Sequence, residues 1–215
     1  MRFYLILGVF FLFSCKEGKK YHDELGTEKV EQRRKTTFDK TIQEHRKELN
    51  KEFRDPATSP LKEKDRKKFI ELDFFQPDEA FKIKAKFERT PNDLPFLMPT
   101  TTGDTNKEVR YGIVYFKLGE NSFSLNVYQN QVLKFNEGYE DHLFLPFSDD
   151  TNGNDTYGGG RYLNLTIPKT DSIIIDFNKA YNPYCAYNEK YSCPIVPAEN
   201  HIAFEVKAGE RDFKP

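Results

Sequence analysis

The stretch VRYGIVYFKLGENSFSLNVY, residues 109–128, decides the fold. Its first half, Val109 to Leu118, is apolar on both faces and predicts a central β-strand. Gly119-Glu120-Asn121 supplies a turn. After this turn Phe123, Leu125 and Val127 alternate with polar residues, which predicts a second strand with one buried face. The stretch therefore predicts a hairpin in the middle of a sheet.

Further strand patterns lie on both sides of this hairpin. Before it, Phe81, Ile83, Ala85 and Phe87 alternate with lysines, which predicts a strand with one face in a core and one in water. After it come four more predicted strands, over residues 143–147, 162–167, 172–178 and 202–207. Because no long helical pattern separates them, the sequence predicts a mainly β fold. We expect an antiparallel β-sandwich or small barrel of about seven or more strands.

The residues ahead of this single β domain, which we place at 58–215, predict an N-terminal charged helix over 29–57. Phe38, Ile42, Leu49 and Phe53 form one thin apolar stripe at helical spacing. Asp55-Pro56 and Ser59-Pro60 end the helix, because proline disfavours the helical conformation of the residue before it. We expect the stripe to lie against the β domain. The mixed charges favour a solvated face over a membrane-binding or partner-binding one.

The first fifteen residues, MRFYLILGVFFLFSC, predict an exported lipoprotein. Arg2 is followed by an apolar run, Phe3 to Phe13, that is shorter than the roughly 20 residues a membrane-spanning helix needs. Leu12 to Cys15 resembles a bacterial lipobox, so we predict a signal peptide over 1–14 and a lipid on Cys15. A plain cleaved signal and an uncleaved anchor are the alternatives. Residues 15–28 are predicted to be a flexible tether.

Composition limits the partners and the cofactors. The 33 basic and 34 acidic residues nearly balance, so nothing indicates a nucleic-acid partner. The predicted location is the bacterial cell envelope, periplasmic or surface facing, with the membrane as a partner through palmitate on Cys15. No cofactor and no metal site are predicted, because His142 and His201 do not stand at ligand spacing from the cysteines.

The two remaining cysteines, Cys185 and Cys193, are predicted to form a disulfide in that oxidising compartment. Tyr181, Tyr184, Tyr187 and Tyr191 recur around them at helical spacing. A continuous helix would hold the two cysteines about 12 Å apart, which is too far for a disulfide. Either the segment bends or the bridge is absent. The tyrosines and Asn182 suit recognition of a polar ligand, although a tyrosine cluster packed around a disulfide is the more common outcome.

A second stretch, SDDTNGNDTYGGGRY (148–162), carries candidate ligand groups. Three consecutive glycines, Gly158, Gly159 and Gly160, cost backbone entropy unless the chain needs positive φ or a close approach. With Arg161 beside them, they could bind an anion through backbone N–H groups and a guanidinium. The alternative is a strand bend in which Arg161 pairs with a preceding aspartate. Asp150, Asn152 and Asp155 could hold calcium, but an Asx-rich turn is the favoured interpretation.

These stretches also carry a resemblance to a known family. PTTTGD (99–104), RYG (110–112), LFLPFSDDTNGNDTYGGGRY (143–162) and DFNKAYNPYCAYNEKYSCPIVPAEN (176–200) resemble, over residues 58–210, the bacterial domain of unknown function 1684. That family has no established activity, so the resemblance implies a domain boundary and motif positions only. The motif positions are Asp149, Thr156, Tyr157, Gly158, Gly159, Gly160, Arg161, Asn182, Cys185, Cys193, Glu199 and Asn200.

The sequence thus favours a membrane-anchored binding module for a small polar or anionic ligand. We expect loop 148–161 and loop 181–193 to meet at one end of the sheet. The candidate ligand-binding residues are Asp149, Thr156, Tyr157, Gly158, Gly159, Gly160, Arg161, Tyr181, Asn182, Tyr184, Glu199 and Asn200. One alternative is a hydrolase using carboxylates from Asp149, Asp150, Asp155 or Glu199. Another is a purely structural envelope protein, for which a flat surface without a pocket is expected.

Overall fold

The computed structural model describes residues 23–214, with side chains described from residue 29. The predicted signal peptide (1–14), the lipid-bearing Cys15 and residues 15–22 of the predicted tether lie outside these residues. Within them, no helix is long and apolar enough to cross a lipid bilayer. Helix α1 spans Asp23–Arg54, and a single turn, α2, spans Glu63–Arg66.

Helix α1 begins at Asp23, six residues before the predicted start at Lys29. Gly26 does not stop it, since one glycine costs a helix only about 1 kcal/mol relative to alanine. The last part of the predicted tether, residues 23–28, is therefore helical. The predicted stripe is confirmed within residues 37–54, where Phe38, Ile42 and Phe53 are buried.

Eight strands form one sheet. They are β1 (Lys82–Arg89), β2 (Phe96–Pro99), β3 (Thr105–Leu118), β4 (Asn121–Asn130), β5 (His142–Asp149), β6 (Arg161–Thr166), β7 (Ser172–Asp176) and β8 (His201–Ile202). Their order is β6-β5-β4-β3-β1-β7, with β2 added beside β3 and β8 beside β5. All pairs are antiparallel except β5 with β8. The prediction of a mainly antiparallel β fold behind an N-terminal helix is confirmed, and the sheet is curled into a half-barrel.

The long hairpin predicted from residues 109–128 is the centre of this sheet. Strands β3 and β4 pair from Glu108↔Asn130 to Leu118↔Asn121, with one register shift between Arg110 and Gly112. Such a bulge bends a strand and increases its twist, which helps the sheet to curl. Gly112 is required there, because a Cβ atom would lie 2.6 Å from the Glu88 carbonyl oxygen and from the Phe87 ring.

Two hydrophobic clusters fill the interior. The main one lies on the concave face of the sheet and includes Val114, Leu125, Leu145, Phe147 and Ile175. A smaller cluster joins the end of α1 to later loops and consists of Phe53, Leu61, Leu72 and Tyr187. This second cluster matters for the site, because it fixes the helix beside the loop that follows residue 181.

Candidate functional site: a cavity around Glu108

Loop 148–161 is organised around a buried ion pair. The Arg161 guanidinium donates to Asp149 Oδ2 over 2.8 Å, and neither side chain is exposed to solvent. The same guanidinium also donates to the carbonyl oxygens of Val206, Ala208 and Glu210. The structure therefore contains the alternative in which Arg161 pairs with a preceding aspartate. Its two terminal nitrogens therefore bond four acceptors of the protein, whereas its Nε is buried and has no hydrogen-bond partner among the described residues.

The rest of this loop is an Asx-rich turn, as favoured from the sequence. Asp149 also accepts hydrogen bonds from the Thr151 amide and hydroxyl, and Thr151 contacts the buried Thr156 hydroxyl over 2.8 Å. The Asn152 side chain donates to Thr156 Oγ1 and to the Tyr157 carbonyl oxygen. Among the residues described, no group of three or more His, Cys, Asp or Glu side chains is placed to hold a metal ion.

The three glycines serve different purposes. Gly160 has φ +87°, and a Cβ atom there would lie 2.6 Å from the Phe147 carbonyl oxygen. Gly158 and Gly159 are exposed. None of the three lines the cavity described below. The triple glycine thus brings the chain close to β5 rather than facing that cavity.

Glu199 and Asn200 lie next to β8. Asn200 is fully buried and joins two strands: it accepts from the Asn126 amide and donates to the carbonyl oxygens of Asn126 and Pro146. Glu199 is exposed. These two residues remain predicted ligand groups, and neither lines the cavity.

Loop 181–193 does meet loop 148–161. The Tyr157 hydroxyl lies 3.8 Å from Cys185 Sγ, and Tyr162 and Tyr181 exchange backbone hydrogen bonds. The loop contains a short 3-10 helix, Tyr184–Ala186, instead of a continuous helix. Its bend points Tyr181, Asn182 and Tyr184 toward a cavity of about 460 Å³.

This cavity lies between the β domain and the end of α1. Its lining residues are His45, Leu49, Glu52, Phe53, Leu72, Asn106, Glu108, Asn130, Leu133, Tyr139, His142, Phe144, Tyr162, Asn164, Tyr181, Asn182, Pro183, Tyr184, Tyr191, Ser192, Cys193, Pro194 and Glu210. Its size is within the range of small-molecule sites, and such sites combine apolar walls with a few convergent polar groups. Three of the twelve predicted ligand residues, Tyr181, Asn182 and Tyr184, line it.

Glu108 is the most unusual group in this lining. It lies in β3 and its side chain is 2% exposed. Its Oε1 accepts a hydrogen bond of 2.6 Å from Asn130 Nδ2, whereas its Oε2 is buried and has no hydrogen-bond partner in the structure. Burial raises the pKa of Glu108 to about 7, and the bond from Asn130 only partly opposes that shift. A buried oxygen without a donor is costly, so Glu108 is placed to accept from a bound molecule.

Aromatic side chains form another wall of the cavity. The Tyr162 ring packs edge-on against Phe144 at 4.8 Å and against Tyr181 at 5.9 Å between centroids. The Tyr181 hydroxyl donates to Asn164 Oδ1 over 2.9 Å, and the Tyr162 hydroxyl donates to the Pro194 carbonyl oxygen. These bonds fix the orientation of both rings.

Sequence reasoning missed the polar floor of this cavity. Asn106, Glu108 and Asn130 lie on neighbouring strands β3 and β4, and His142 begins β5. His142 Nε2 lies 3.1 Å from Asn164 Oδ1. Glu108 gave no signal, because the predicted strand began at Val109 whereas β3 begins at Thr105.

The two cysteines are free thiols in the structure, so the predicted disulfide is not formed. Cys193 Sγ instead accepts a hydrogen bond of 3.1 Å from the Cys185 amide. A hydrogen bond from the Cys193 thiol lowers the pKa of Cys185 to about 6. Burial opposes this shift, and a hydrogen bond from the Tyr157 hydroxyl adds to it.

The carboxylates predicted for a hydrolase do not face one another across this cavity. Asp149 is bound to Arg161, and Asp155 pairs with Arg211 over 3.1 Å. Asp150 belongs to a surface chain in which Ser148 Oγ lies 3.0 Å from His201 Nδ1, and His201 Nε2 lies 3.4 Å from Asp150. His201 and Asp150 are about half exposed, and none of the three residues lines the cavity.

Comparisons with known proteins match most of the chain. The family model described as Protein of unknown function (DUF1684) matches residues 67–211. Among solved structures, the chain is similar to an uncharacterised protein from the gene locus rrnAC0354 of Haloarcula marismortui, determined by NMR in solution. The two share 30% sequence identity with a TM-score of 0.64, and the match covers 83% of this chain and 96% of that one. The comparison with curated proteins finds no match. Neither description states an activity.

Proposed function

Because this chain belongs to the family of proteins of unknown function DUF1684, whose name assigns no activity, we propose a function from the cavity itself. The domain is a binding module that holds a small polar ligand against Glu108. The observation that carries this proposal is the buried Oε2 of Glu108, to which no group of residues 23–214 donates a hydrogen bond. A ligand that donates a hydrogen bond to it would remove the cost of that unmade bond, which is about 1–3 kcal/mol.

The other lining groups support a polar ligand. Asn106, Asn164 and Ser192 add amide and hydroxyl groups to the lining of the cavity. Rings with a few placed polar groups are typical of sites that orient a small molecule by both packing and hydrogen bonds. A cavity of this size also favours a binding module over a purely structural envelope protein.

We propose that the module works at the surface of a bacterial membrane, as a lipoprotein. The support is the sequence of residues 2–15, in which a basic residue and a short apolar run precede Cys15. Two or three acyl chains on that cysteine would hold the domain at the membrane, because each buried CH₂ contributes about 0.8 kcal/mol.

A fragment screen by NMR tests the binding function. The ¹⁵N-labelled chain would be titrated with uncharged polyols, amines and carboxylic acids, while the side-chain amides of Asn106, Asn130 and Asn164 are followed. We expect at least one compound to shift these amides saturably. Glu108→Gln should weaken that compound at least tenfold, or about 1.4 kcal/mol, since the isosteric amide loses the charge but keeps the shape.

Glu120→Gln is the matched control, because Glu120 is an exposed carboxyl in the turn between β3 and β4. This variant should bind like the unaltered chain. The proposal is wrong if no compound shifts the three amides, or if Glu108→Gln binds as tightly as the control.

A second candidate function is a carboxylate-dependent hydrolase that uses the same cavity. Burial raises the pKa of both Glu108 and Glu210 to about 7, and both carboxyls line the cavity. A carboxyl that titrates near neutral pH suits general acid and base catalysis. Nitrophenyl esters, glycosides and phosphates would test this candidate. It predicts turnover with a bell-shaped pH profile around 7 that disappears in Glu108→Gln, and absence of turnover on all three substrate classes would reject it.

A further inference from the structure

The charges that line the cavity are of one sign. Three carboxyl groups line it, from Glu52, Glu108 and Glu210. Among the described residues of the lining, none is lysine or arginine. The basic residues of the lining are two histidines, His45 and His142. Burial is the largest cause that lowers the pKa of His45, which favours its neutral form. An anion entering this cavity would meet carboxyl groups without a fixed cation to balance it.

The three carboxyls differ in what already bonds them. Both oxygens of Glu210 accept from the protein, one from the Tyr187 hydroxyl and one from the Asn182 amide. Glu52 accepts from the Tyr184 hydroxyl over 2.7 Å. Of these three carboxyls, only Glu108 has a buried oxygen without a donor among the described residues, and Asn182 Oδ1 is a buried amide oxygen of the lining in the same condition. A bound molecule therefore meets one buried carboxyl oxygen that no described group bonds.

In the aromatic wall, a ligand can contact the faces of the rings, because three tyrosine hydroxyls already bond other groups of the protein. The hydroxyls of Tyr162, Tyr181 and Tyr184 all donate to acceptors of the protein itself. Their rings remain next to the cavity, together with those of Phe144 and Tyr191. Aromatic faces carry partial negative charge and attract cations, by up to about 2 kcal/mol or more where the contact is desolvated.

We infer that the ligand of this cavity is an organic cation with an N–H group, such as a primary or secondary amine in its ammonium form. This inference rests on the proposed binding function and names its ligand class. The ammonium group donates to Glu108 and neutralises its charge, while the carbon skeleton packs on the tyrosine rings. This arrangement gives a donor to the buried Glu108 oxygen that the described residues leave without one.

Three probes of similar size test which charge the ligand carries. Benzylamine, benzyl alcohol and benzoate share one ring and differ in being cationic, neutral and anionic at pH 7.5. We would titrate each into the full chain and follow the Asn106, Asn130 and Asn164 side-chain amides by NMR. We expect benzylamine to bind at least tenfold more tightly than benzyl alcohol, and benzoate to leave these amides unshifted.

Variants then assign this preference to Glu108. Glu108→Gln should bring benzylamine to the affinity of benzyl alcohol, whereas the exposed control Glu120→Gln should keep the tenfold difference. The order of the three probes in the unaltered chain needs no variant, so the test stands even if Glu108→Gln folds poorly.

The outcomes separate this inference from the binding function. If benzyl alcohol or benzoate shifts the cavity amides as strongly as benzylamine, the cavity binds ligands but the cationic class is wrong. A tenfold preference that persists in Glu108→Gln also contradicts the inference. If none of these probes and none of the screened compounds shifts the amides, the binding function fails and the inference fails with it.

Discussion

Asp149 shows how one buried residue can organise a whole loop. Its carboxylate accepts four hydrogen bonds, from Arg161, from the Thr151 amide and hydroxyl, and from the Val206 amide. These donors lie on β6, on the loop after β5 and on the C-terminal segment. A buried carboxylate with a paired guanidinium holds these three segments together, and loss of one partner leaves the other charge uncompensated.

We therefore predict that Asp149→Asn destabilises the domain by about 3–5 kcal/mol, because it leaves the Arg161 charge buried without a counterion. Urea denaturation followed by circular dichroism would measure the loss. Asp155→Asn is the matched control, since its ion pair with Arg211 is 39% exposed on both sides and should cost less than about 1 kcal/mol. Equal losses in the two variants would contradict the role given to burial.

Glu210 makes stability depend on pH. Burial raises its pKa to about 7, although hydrogen bonds from Tyr187 and Asn182 favour the charged form. Between the ordinary value of 4.5 and about 7, the folded carboxyl keeps its proton while the unfolded one has lost it. Proton binding by Glu210 therefore stabilises the folded state. This stabilisation is complete below the pKa of the unfolded chain and is lost as the pH rises through 7.

We predict that this carboxyl lowers the free energy of unfolding by about 3 kcal/mol between pH 4.5 and pH 7.5. Glu210→Gln should remove that part of the slope, because the amide does not titrate. Urea midpoints at several pH values would give both slopes. Glu205→Gln, at an exposed carboxyl, should keep the slope of the unaltered chain, and parallel slopes for Glu210→Gln would reject this prediction.

Cys185 is expected to be the reactive thiol of the pair. A hydrogen bond from Cys193 is the largest cause that lowers its pKa to about 6, while the same contact raises that of Cys193. Under reducing conditions, alkylation by iodoacetamide should modify Cys185 first and follow that lowered pKa, because the thiolate is the nucleophile. Mass spectrometry of the peptides would measure both rates. Cys193→Ala should raise the pKa of Cys185, and an unchanged pH profile would show that Cys193 is not the cause.

At the scale of elements, the apolar stripe of α1 is what fixes the helix to the β domain. Ile42 is fully buried, and the Asn50 side chain accepts a hydrogen bond of 2.7 Å from the Leu72 amide. The Arg46 guanidinium donates to the Phe75 carbonyl oxygen over 2.7 Å. The end of this helix also lines the cavity, so its packing keeps one wall of the site in place.

We predict that Ile42→Ala destabilises the domain by about 2–5 kcal/mol, as expected when a large side chain is removed from a packed interior. Val30→Ala in the same helix changes a residue that is 68% exposed and should stay within about 0.5 kcal/mol. Urea denaturation of both variants would show the difference. If the two variants lose equal stability, the stripe does not hold the helix in place.

The elements differ in how much of them the sequence could predict. Strands β1, β3 and β4 follow alternating or continuous apolar patterns and lie where those patterns predict them. β2 was missed because Phe96 and Leu97 are exposed and prolines flank them. The predicted strand 202–207 ends at Ile202, because the Val206 amide donates to Asp149 and the Phe204 amide to the Ile202 carbonyl oxygen. Such non-local bonds leave no periodic signal.

Contacts between residues far apart in sequence also limit how much of the site could be predicted. Loop 181–193 could be singled out from its tyrosines, and three of its predicted ligand residues, Tyr181, Asn182 and Tyr184, line the cavity. Glu108 and His142 come from strands far apart in sequence and converge only because the sheet curls. For Arg161 the sequence left open an anion ligand or a partner of a preceding aspartate, and only the fold shows that its terminal nitrogens bond Asp149 and backbone carbonyl oxygens.

At the scale of the whole molecule, the cavity and the proposed lipid anchor use different residues of the sequence. The cavity draws its lining from residues 45 to 210, whereas the predicted acylation site is Cys15. Cavity binding and lipid attachment can therefore be tested separately, since changing Cys15 touches no residue of the cavity.

We predict that Cys15 carries a lipid in a bacterial host. Radiolabelled palmitate should be incorporated into the expressed chain, and the labelled chain should sediment with membranes, because two or three acyl chains bind a bilayer tightly. Cys15→Ala should lose both the label and the sedimentation. Cys185→Ala is the control for label on another thiol and should keep both. Label that persists in Cys15→Ala would show that this cysteine is not the acylation site, and the envelope location proposed for the binding module would lose its support.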